Sequence, residues 1–445
     1  MAYFLWCLII WRLNRKQVES ATASELTKLT ENAFSTCFRY RNSAYWLRIS
    51  FAKGSSAPMS SRFKTAGFHL AVVTLAFGGG GPERDTVLLC NALAARGVRV
   101  AIMALREEGP LRSLVDPAVQ VVIVPGRRMR YAVPGLRRVI RALAPSIVVS
   151  SGIPSLNLAT LIAVKMLPRG QRPKVILREA AVPSMARHDP SRSNRTAYRI
   201  LRHLYRRADR IITLTDQASR ELVQNFSVPE SLISVMRLSA VIPPSMVARM
   251  SQWDGETGRE RDLIVCVGRL SREKDQRTLF RAMTLMPPKR SWRLAIVGDG
   301  PERAALEAFA RSHGLADRTV FTGYVADPFA WMMRARVLVL PSTYEGLPCV
   351  IMEALACGTP VVSTDCPHGP REILEGGRYG TLIPVGDPVA MAAAIEAALN
   401  HVPDRSFLMG RGFEYTAERA AARFLEILAD VEPKSIASTR SIRAI

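Results

Sequence analysis

Short apolar strands alternating with amphipathic helices, glycine-bearing turns at strand ends, and a change of charge halfway along the chain predict an α/β protein with two parallel-sheet domains. The 445 residues are 48% hydrophobic and 7% aromatic, enough to bury two cores of ordinary size. The seven cysteines, at 7, 37, 90, 266, 349, 357 and 366, include no C-x-x-C pair, and several fall inside apolar runs. Such usage reads as reduced thiols in a cytosolic protein and against metal or disulfide roles. Residues 59–250 carry 29 Lys and Arg against 11 Asp and Glu, a net of +18, while 251–432 carry 21 against 24, a net of −3. The first half is therefore expected to meet an anionic surface, either nucleic acid or membrane.

At the start, Ala2 to Trp11 is apolar but only ten residues long, too short to span a bilayer as a helix. It has neither a positive region before it nor a small-residue cleavage site after it. Met59, just ahead of the first strand, is read as the true start, with 1–58 an uncertain leader. The other reading of that leader is an interfacial anchor built on Trp6, Trp11, Arg12, Arg15 and Lys16.

The first strand is expected over His69–Leu75. Four glycines, Gly78 to Gly81, follow it, then a helix over Thr86–Arg96 closed by Gly97 and a strand over Val98–Ala104. The glycines match neither G-x-G-x-x-G nor G-x-x-x-x-G-K-[ST]. Gly79, Gly80 and Gly81 could bring backbone amides to an anion of acceptor or phosphate, or could serve a tight turn that needs positive φ. Further strands are expected at Val119–Val124, Ile147–Ser150, Val175–Leu177 and Ile211–Leu214. Between them lie two basic helical stretches. Arg127 to Leu143 holds six arginines, and Asn194 to Ala208 sets Arg195, Arg199, Arg202 and Arg206 on one face against Ala197, Leu201, Leu204 and Ala208 on the other. Together with the positive first half, an arginine surface on anionic lipid headgroups is the favoured reading.

Residues 245–261 are polar and aperiodic and read as a linker. A second series follows, with strands at Leu263–Val267, Arg293–Val297, Val320–Phe321, Val337–Leu340, Pro360–Ser363 and Thr381–Ile383. Its expected helices are Gln276–Met283, Glu302–His313, Val350–Ala356, Pro388–Leu399 and Tyr415–Leu428. The stretch Ser342 to Ala354 places Glu345 on the loop beyond a buried strand and Glu353 about two turns into the next helix. Open α/β sheets bind ligands at that edge. Arg269 and Lys274, flanking a loop beyond another strand, suit a diphosphate. A nucleoside diphosphate along this edge would put its base near Gly323 to Val325 and offer its ribose hydroxyls to Glu353.

Six ordered motifs now stand in the second half: Gly268-Arg269-Leu270 with Lys274; Val297-Gly298-Asp299-Gly300-Pro301; Phe321-Thr322-Gly323-Tyr324; Pro341-Ser342-x-x-Glu345-Gly346-x-Pro348 with Glu353-Ala354; Gly358-Thr359-Pro360-Val361-Val362; and Gly369-Pro370-x-Glu372-Ile373. Together they resemble glycosyltransferase family 4, over about 66–432 in layout. The resemblance implies a GT-B fold of two Rossmann-like domains facing a central cleft. It implies a retaining, metal-independent enzyme that takes a nucleotide sugar as substrate and needs no cofactor. Arg269 and Lys274 would bind the donor diphosphate, Glu345 the donor sugar near the reacting carbon, and Glu353 the ribose. Gly268, Gly298, Gly300, Gly323, Tyr324 and the run Gly346, Leu347, Pro348, Cys349 and Val350 would complete the donor site. The implied layout is an acceptor domain over 59–244, the linker, a nucleotide-sugar domain over 262–412, a terminal helix over 413–432 crossing back to the first domain, and a disordered tail over 433–445.

The acceptor domain departs from the family pattern. Ser150-Ser151-Gly152 stands where many members carry a His after the fourth strand, so no acceptor base is assigned. Ser155-Leu156-Asn157-Leu158 followed by Arg178-Glu179-x-x-x-Pro183 resembles a bacterial branch acting on polyprenyl-diphosphate-linked sugars, and His188 is a lone histidine nearby. The expected reaction transfers a hexosyl or N-acetylhexosaminyl group from a nucleotide sugar, a UDP-sugar by preference. The acceptor is expected to be a saccharide, lipid-linked at the inner face of the plasma membrane and reached through the basic domain. A nucleic-acid partner is not expected, for want of helix-turn-helix, zinc or aromatic-stacking signatures. A GT-B epimerase or phosphorylase is the enzyme alternative, and would differ in its products.

Overall fold

The computed structural model describes residues 69–126, 131–179, 191–253, 257–287, 291–401 and 403–431. The chain divides into two compact units, Met1–Arg62 and Phe63–Ile445, and every described residue lies in the second. The leader with Trp6 and Trp11, the arginines 127, 128 and 130, Pro183, His188 and the tail lie outside the described residues.

The first sheet is built from β1 (Leu70–Thr74), α1 (Gly81–Ala95), β2 (Val100–Ala104), β3 (Gln120–Ile123), α2 (Ala132–Leu143), β4 (Ile147–Gly152), α3 (Pro154–Lys165), β5 (Lys174–Glu179), α4 (Arg192–Leu204), β6 (Arg210–Thr213), α5 (Asp216–Phe226) and β7 (Ile233–Val235). Its strands run β3-β2-β1-β4-β5-β6-β7, all parallel. β1, β2 and all but the last residue of β4 are buried, as continuous Val, Ile and Ala runs require when helices cover both faces. Helix α1 begins at Gly81, five residues before the expected Thr86, because Pro82 in its first turn is a favourable helix start and no breaker.

The second sheet follows through α6 (Pro244–Ser251), β8 (Leu263–Val267), α7 (Gln276–Thr284), β9 (Arg293–Val297), α8 (Arg303–Ser312), β10 (Thr319–Gly323), α9 (Phe329–Arg334), β11 (Val337–Leu340), α10 (Cys349–Ala356), β12 (Val361–Thr364), α11 (Pro370–Ile373), β13 (Thr381–Ile383), α12 (Pro388–Asn400), α13 (Arg405–Gly412) and α14 (Ala417–Val431). Its order is β10-β9-β8-β11-β12-β13, again all parallel. In each sheet the order reverses between the first and fourth strand of the series, β1 beside β4 and β8 beside β11. There the connections leave toward opposite faces and open a crevice.

Several elements differ from expectation, and the short helices α9 and α11 are additions to it. The stretch read as linker contains α6, whose Met246 and Met250 drop into the core of the second sheet beside Phe329 and Met332. Eight residues, about two helical turns, between a pair of prolines and a polar run leave no readable period. β7 has three residues, too few to alternate visibly, and α13 is a short helix that packs on α10.

After α13 the chain returns to the first sheet. Val241 N and Ile242 N donate to Tyr415 O at 3.1 and 3.0 Å, and Ala417 N donates to Ile242 O at 3.0 Å, so the outgoing and returning segments cross side by side. Helix α14 then lays Ala417, Ala420, Ala421, Phe424, Ile427 and Leu428 into the core that β1, β2 and α1 build. The alanines let it approach α1 closely, and Arg96 on the turn after α1 caps the contact by donating to Glu418 O at 2.9 Å. Phe424 is fully buried in this seam. Replacing it with Ala leaves a cavity between two rigid helices, and we expect a loss of ~3–5 kcal/mol. A lower urea midpoint, with earlier exchange of the α14 amides, is the measured outcome.

Candidate active site

The β8 and β11 loops meet because their strands are paired. From β8 the chain passes Gly268 and Arg269 into a single tight turn, Arg272–Lys274, ended by Asp275 in the left-handed region at φ 42°. From β11 it passes Pro341 to Pro348 before α10 begins at Cys349. Thr343 N donates to Glu273 O at 2.8 Å and its hydroxyl to the same carbonyl at 3.2 Å, which staples the two loops. Thr364 of β12 holds the other side, its hydroxyl donating to Ser342 O at 2.6 Å.

Glu345 sits inside this double loop, 7% exposed. Its Oε1 accepts from Lys274 Nζ at 2.5 Å and from Ser342 Oγ at 2.6 Å. Burial alone would lower the Lys274 pKa, but the Glu345 carboxylate raises it above its ordinary value, so the ammonium stays charged. Arg269 is exposed and turns onto Glu273 at 2.6 Å instead of toward Glu345. Burial would raise the Glu273 pKa, but hydrogen bonds from Ser271 and Arg269 hold it below the usual range.

The glycine loops behind Arg269 interlace. Gly268 N donates to Val297 O, Leu270 N to Asp299 O and Gly298 N to Gly323 O, at 2.9, 3.0 and 2.9 Å. A Cβ on Gly298 would stand 2.0 Å from Gly268 O, so the requirement for glycine there is close approach of two backbones as well as its φ of 141°. Gly300 and Gly323 belong to the same weave, and Tyr324 leaves it half exposed toward the first domain.

Glu353 is the fifth residue of α10, little more than one turn in and not two as expected, and it is 4% exposed. Burial raises its pKa to about 7, against the pull of the Arg84 guanidinium and with a push from Asp327. Arg84, from the first turn of α1, reaches to 3.9 Å from Glu353 Oε1. Gly346, Leu347 and Pro348 form the turn before α10, and Cys349 and Val350 open the helix. The two glutamates are thus held separately, Glu345 by Lys274 and Ser342, Glu353 beside Arg84.

Among the predicted residues of the first domain, none of the glycines 78–81 has positive φ, which removes the tight-turn reading. Their need is clearance. A Cβ on Gly79 would lie 2.4 Å from the Tyr324 ring, and one on Gly81 would lie 3.1 Å from Cys349 Sγ. Arg178 and Glu179 are wholly inside the fold. Arg178 pairs with buried Asp85, whose other oxygen accepts from Ala240 N at 2.6 Å. Glu179 Oε1 accepts from Asn157 Nδ2 and from the Tyr205 hydroxyl, each at 2.8 Å, tying α3 and the end of α4 to β5. Burial raises the Glu179 pKa, against those hydrogen bonds.

The sequence reading assigned no role to a second seam between the two sheets' domains. Glu372 accepts from Asp216 N and Gln217 N at 3.2 and 3.3 Å and so caps α5 from across the cleft. His368 N donates to Gln217 Oε1 at 3.2 Å, and its ring lies 3.0 Å from Glu221. The same loop touches the Glu345 turn, since Glu345 N donates to Pro367 O at 3.4 Å. Glu372 stood in a quoted motif, but its partners are 156 and 155 residues away and no local signal points to them.

The raised pKa of Glu353 makes a stability prediction. Its folded value of about 7 exceeds the ordinary 4.5, so the native state binds the proton more tightly. The associated stability is complete below pH 4.5 and is lost as pH rises through 7, by on the order of 3 kcal/mol. Glu353→Gln removes this dependence. Its urea midpoint is expected to fall less than that of the wild type between pH 5 and pH 8.

Comparison with known proteins identifies the family. Residues 261–401 match the family model described as "Glycosyl transferases group 1", and residues 79–237 match that described as "Glycosyltransferase Family 4". The chain is 31% identical over 388 residues to the 2-deoxystreptamine N-acetyl-D-glucosaminyltransferase of Streptomyces fradiae, covering 74% of this chain and 91% of that one. It is 26% identical over 364 residues to the lipopolysaccharide core biosynthesis glycosyltransferase LpsE of Rhizobium meliloti, covering 79% and 96%. In fold it is similar to Anabaena Alr3699/HepE, solved in complex with UDP and glucose, with a TM-score of 0.64 at 19% identity over 81% and 99% of the two chains. The chain belongs to the group 1 glycosyltransferases of family 4 and is a glycosyltransferase of GT-B fold.

Proposed function

We propose that this enzyme transfers a hexosyl or N-acetylhexosaminyl group from a UDP-sugar to a saccharide acceptor, with retention at the anomeric carbon and without a metal. The observation that carries the reading is the Lys274–Glu345 pair at the β8/β11 crevice, a half-buried cation and a buried carboxylate at 2.5 Å where a donor's diphosphate and sugar would meet. In the reaction the bond between the anomeric carbon and the diphosphate oxygen breaks, and negative charge grows on the departing phosphate. Lys274, kept charged by its neighbour, neutralises that charge from a fixed position, and Arg269 joins it by leaving its exposed pairing with Glu273. Glu345, locked by Lys274 and Ser342, presents its carboxylate to the sugar hydroxyls, and Glu353 takes the ribose diol.

The donor is inferred from kinship. Alr3699/HepE was solved with UDP and glucose, and the Streptomyces fradiae relative is named for transferring N-acetyl-D-glucosamine. The relative LpsE is named for lipopolysaccharide core biosynthesis, which favours a glycan of the cell surface and a lipid-linked acceptor. Exposed Arg137, Arg138 and Arg141 on α2, and Arg199, Arg202 and Arg206 on and just after α4, flank α3 with its exposed Met166, on the positively charged half of the chain. We assign this face to an anionic membrane, at its cytosolic side. No helix among the described residues is long and apolar enough to cross a membrane.

Thermal unfolding with a panel of nucleoside diphosphates tests the donor. UDP is expected to raise Tm and the Lys274→Met variant to lose most of that shift, with turnover of a UDP-sugar falling by ~10²–10³. Equal response to every nucleotide, or unchanged turnover in Lys274→Met or Glu345→Gln, defeats the reading. For the membrane face, co-sedimentation with phosphatidylglycerol vesicles is expected to exceed that with neutral vesicles and to fall in Arg137→Glu/Arg141→Glu/Arg202→Glu. Equal partition to both vesicle types refutes it.

A further inference from the structure

Arg84 reaches from the first domain into the second. It stands in the first turn of α1, directly after the glycine run. Its Nη1 is 3.5 Å from Ala326 O, its guanidinium lies over the Phe329 ring at 5.6 Å from the centroid, and its Nε is 3.9 Å from Glu353 Oε1. Nε itself is buried with no hydrogen-bond partner. At 3.9 Å the ion pair is close enough to act on the carboxylate by its field yet too long to be a hydrogen bond. The guanidinium therefore biases the charge of Glu353 without occupying its oxygens.

We propose that Arg84 is a positioning residue for donor binding, supplied across the cleft by the acceptor domain, and that it favours the ionised form of Glu353, the form that accepts the ribose hydroxyls. This rests on the reading of Glu353 as the ribose ligand. The glycine run is part of the device. With hydrogen in place of Cβ at Gly79 and Gly81, α1 can stand against Tyr324 and Cys349, and Arg84 can reach its place. The other charge reaching Glu353 is Asp327, ahead of α9; the Cys349 and Cys357 thiols face it too, but burial pushes their pKa values up so that they stay neutral. Asp327 opposes ionisation, and its own oxygen is held by Arg249 at 3.0 Å. Arg84 is thus the cation named beside Glu353, and with it Glu353 titrates near 7, where small changes in field decide its charge.

The sign follows. Removing the guanidinium raises the Glu353 pKa further, so the carboxyl becomes neutral at pH 7 and ionises only at higher pH. UDP binding to the full-length protein, titrated calorimetrically from pH 6 to 8.5, reads this directly. Wild type is expected to bind more tightly as pH rises through about 7, where Glu353 ionises. Arg84→Met is expected to bind ~5-fold more weakly at pH 7 if the pKa rises by one unit, and to approach wild type at the alkaline end. Arg84→Lys, which keeps the charge, restores most of the affinity at pH 7. A deficit of equal size at every pH marks lost packing on Phe329 and overturns the proposal. Unchanged or tighter binding in Arg84→Met overturns it too.

Glu353→Gln separates the two readings. If it weakens UDP binding and flattens the wild-type pH profile while Arg84→Met leaves that profile unmoved, only the Arg84 assignment fails. If Glu353→Gln binds UDP as tightly as wild type at pH 8, or wild type ignores UDP at every pH, the ribose assignment fails and takes the Arg84 proposal with it.

Discussion

The pairing of β8 with β11 places Lys274 against Glu345, and the rest of the donor half is arranged around that contact. Each loop alone would leave an uncompensated charge in a poorly hydrated place, the carboxylate at 7% exposure especially. Together they satisfy one another, and the cost of separating them holds the loops in register. Thr343 and Thr364 then fix the backbone from both sides, so the pair is positioned by strands rather than by loop flexibility. A charge pair so held stabilises developing charge without having to reorganise.

Glu353 follows the opposite logic. It is buried without a close hydrogen-bonded cation, and its pKa of about 7 shows that the fold keeps it at a cost. Purely structural carboxyls in this molecule are treated differently. Asp85 pairs directly with Arg178 and caps Ala240 N, and Glu179 takes hydrogen bonds from Asn157 and Tyr205. That light partnering, at the crevice edge of a parallel sheet, is the observation on which its proposed role as a ribose ligand rests.

The two domains touch through side chains that differ in kind at the two seams. At one, glycines 79 and 81 give way to Tyr324 and Cys349, and Arg84 crosses to Glu353. At the other, Glu372 and His368 grip the N-terminus of α5 through backbone amides and a glutamine. The second seam lies on the same loop that touches Glu345 N, so the position of the first domain and the shape of the donor loop are mechanically connected. The return of α14 into the first core, through Phe424 and its alanine neighbours, ties the ends of both domains together behind the cleft.

By itself the sequence determined what depends on neighbours along the chain. Continuous apolar runs dictated buried parallel strands at Leu263–Val267, Arg293–Val297 and Val337–Leu340, with ends that match the structure. Glycine spacing marked the loops at 268, 298, 300 and 323, and the carboxylates 345 and 353 followed from their place after a strand. Short pieces such as β7, α6 and α13 were illegible because prolines and polar residues beside them blur a period that few residues carry. Only the tertiary structure decided partners. The glycines of residues 78–81 lack positive φ, and what they make room for is a tyrosine and a cysteine of the other domain. Arg269 turned to Glu273 and Lys274 to Glu345, although both cations had looked equally suited to a phosphate. Arg84 and Glu372 find their partners across the cleft, and a contact between residues so far apart leaves no trace in local periodicity. It exists only once two sheets have folded and closed on one another.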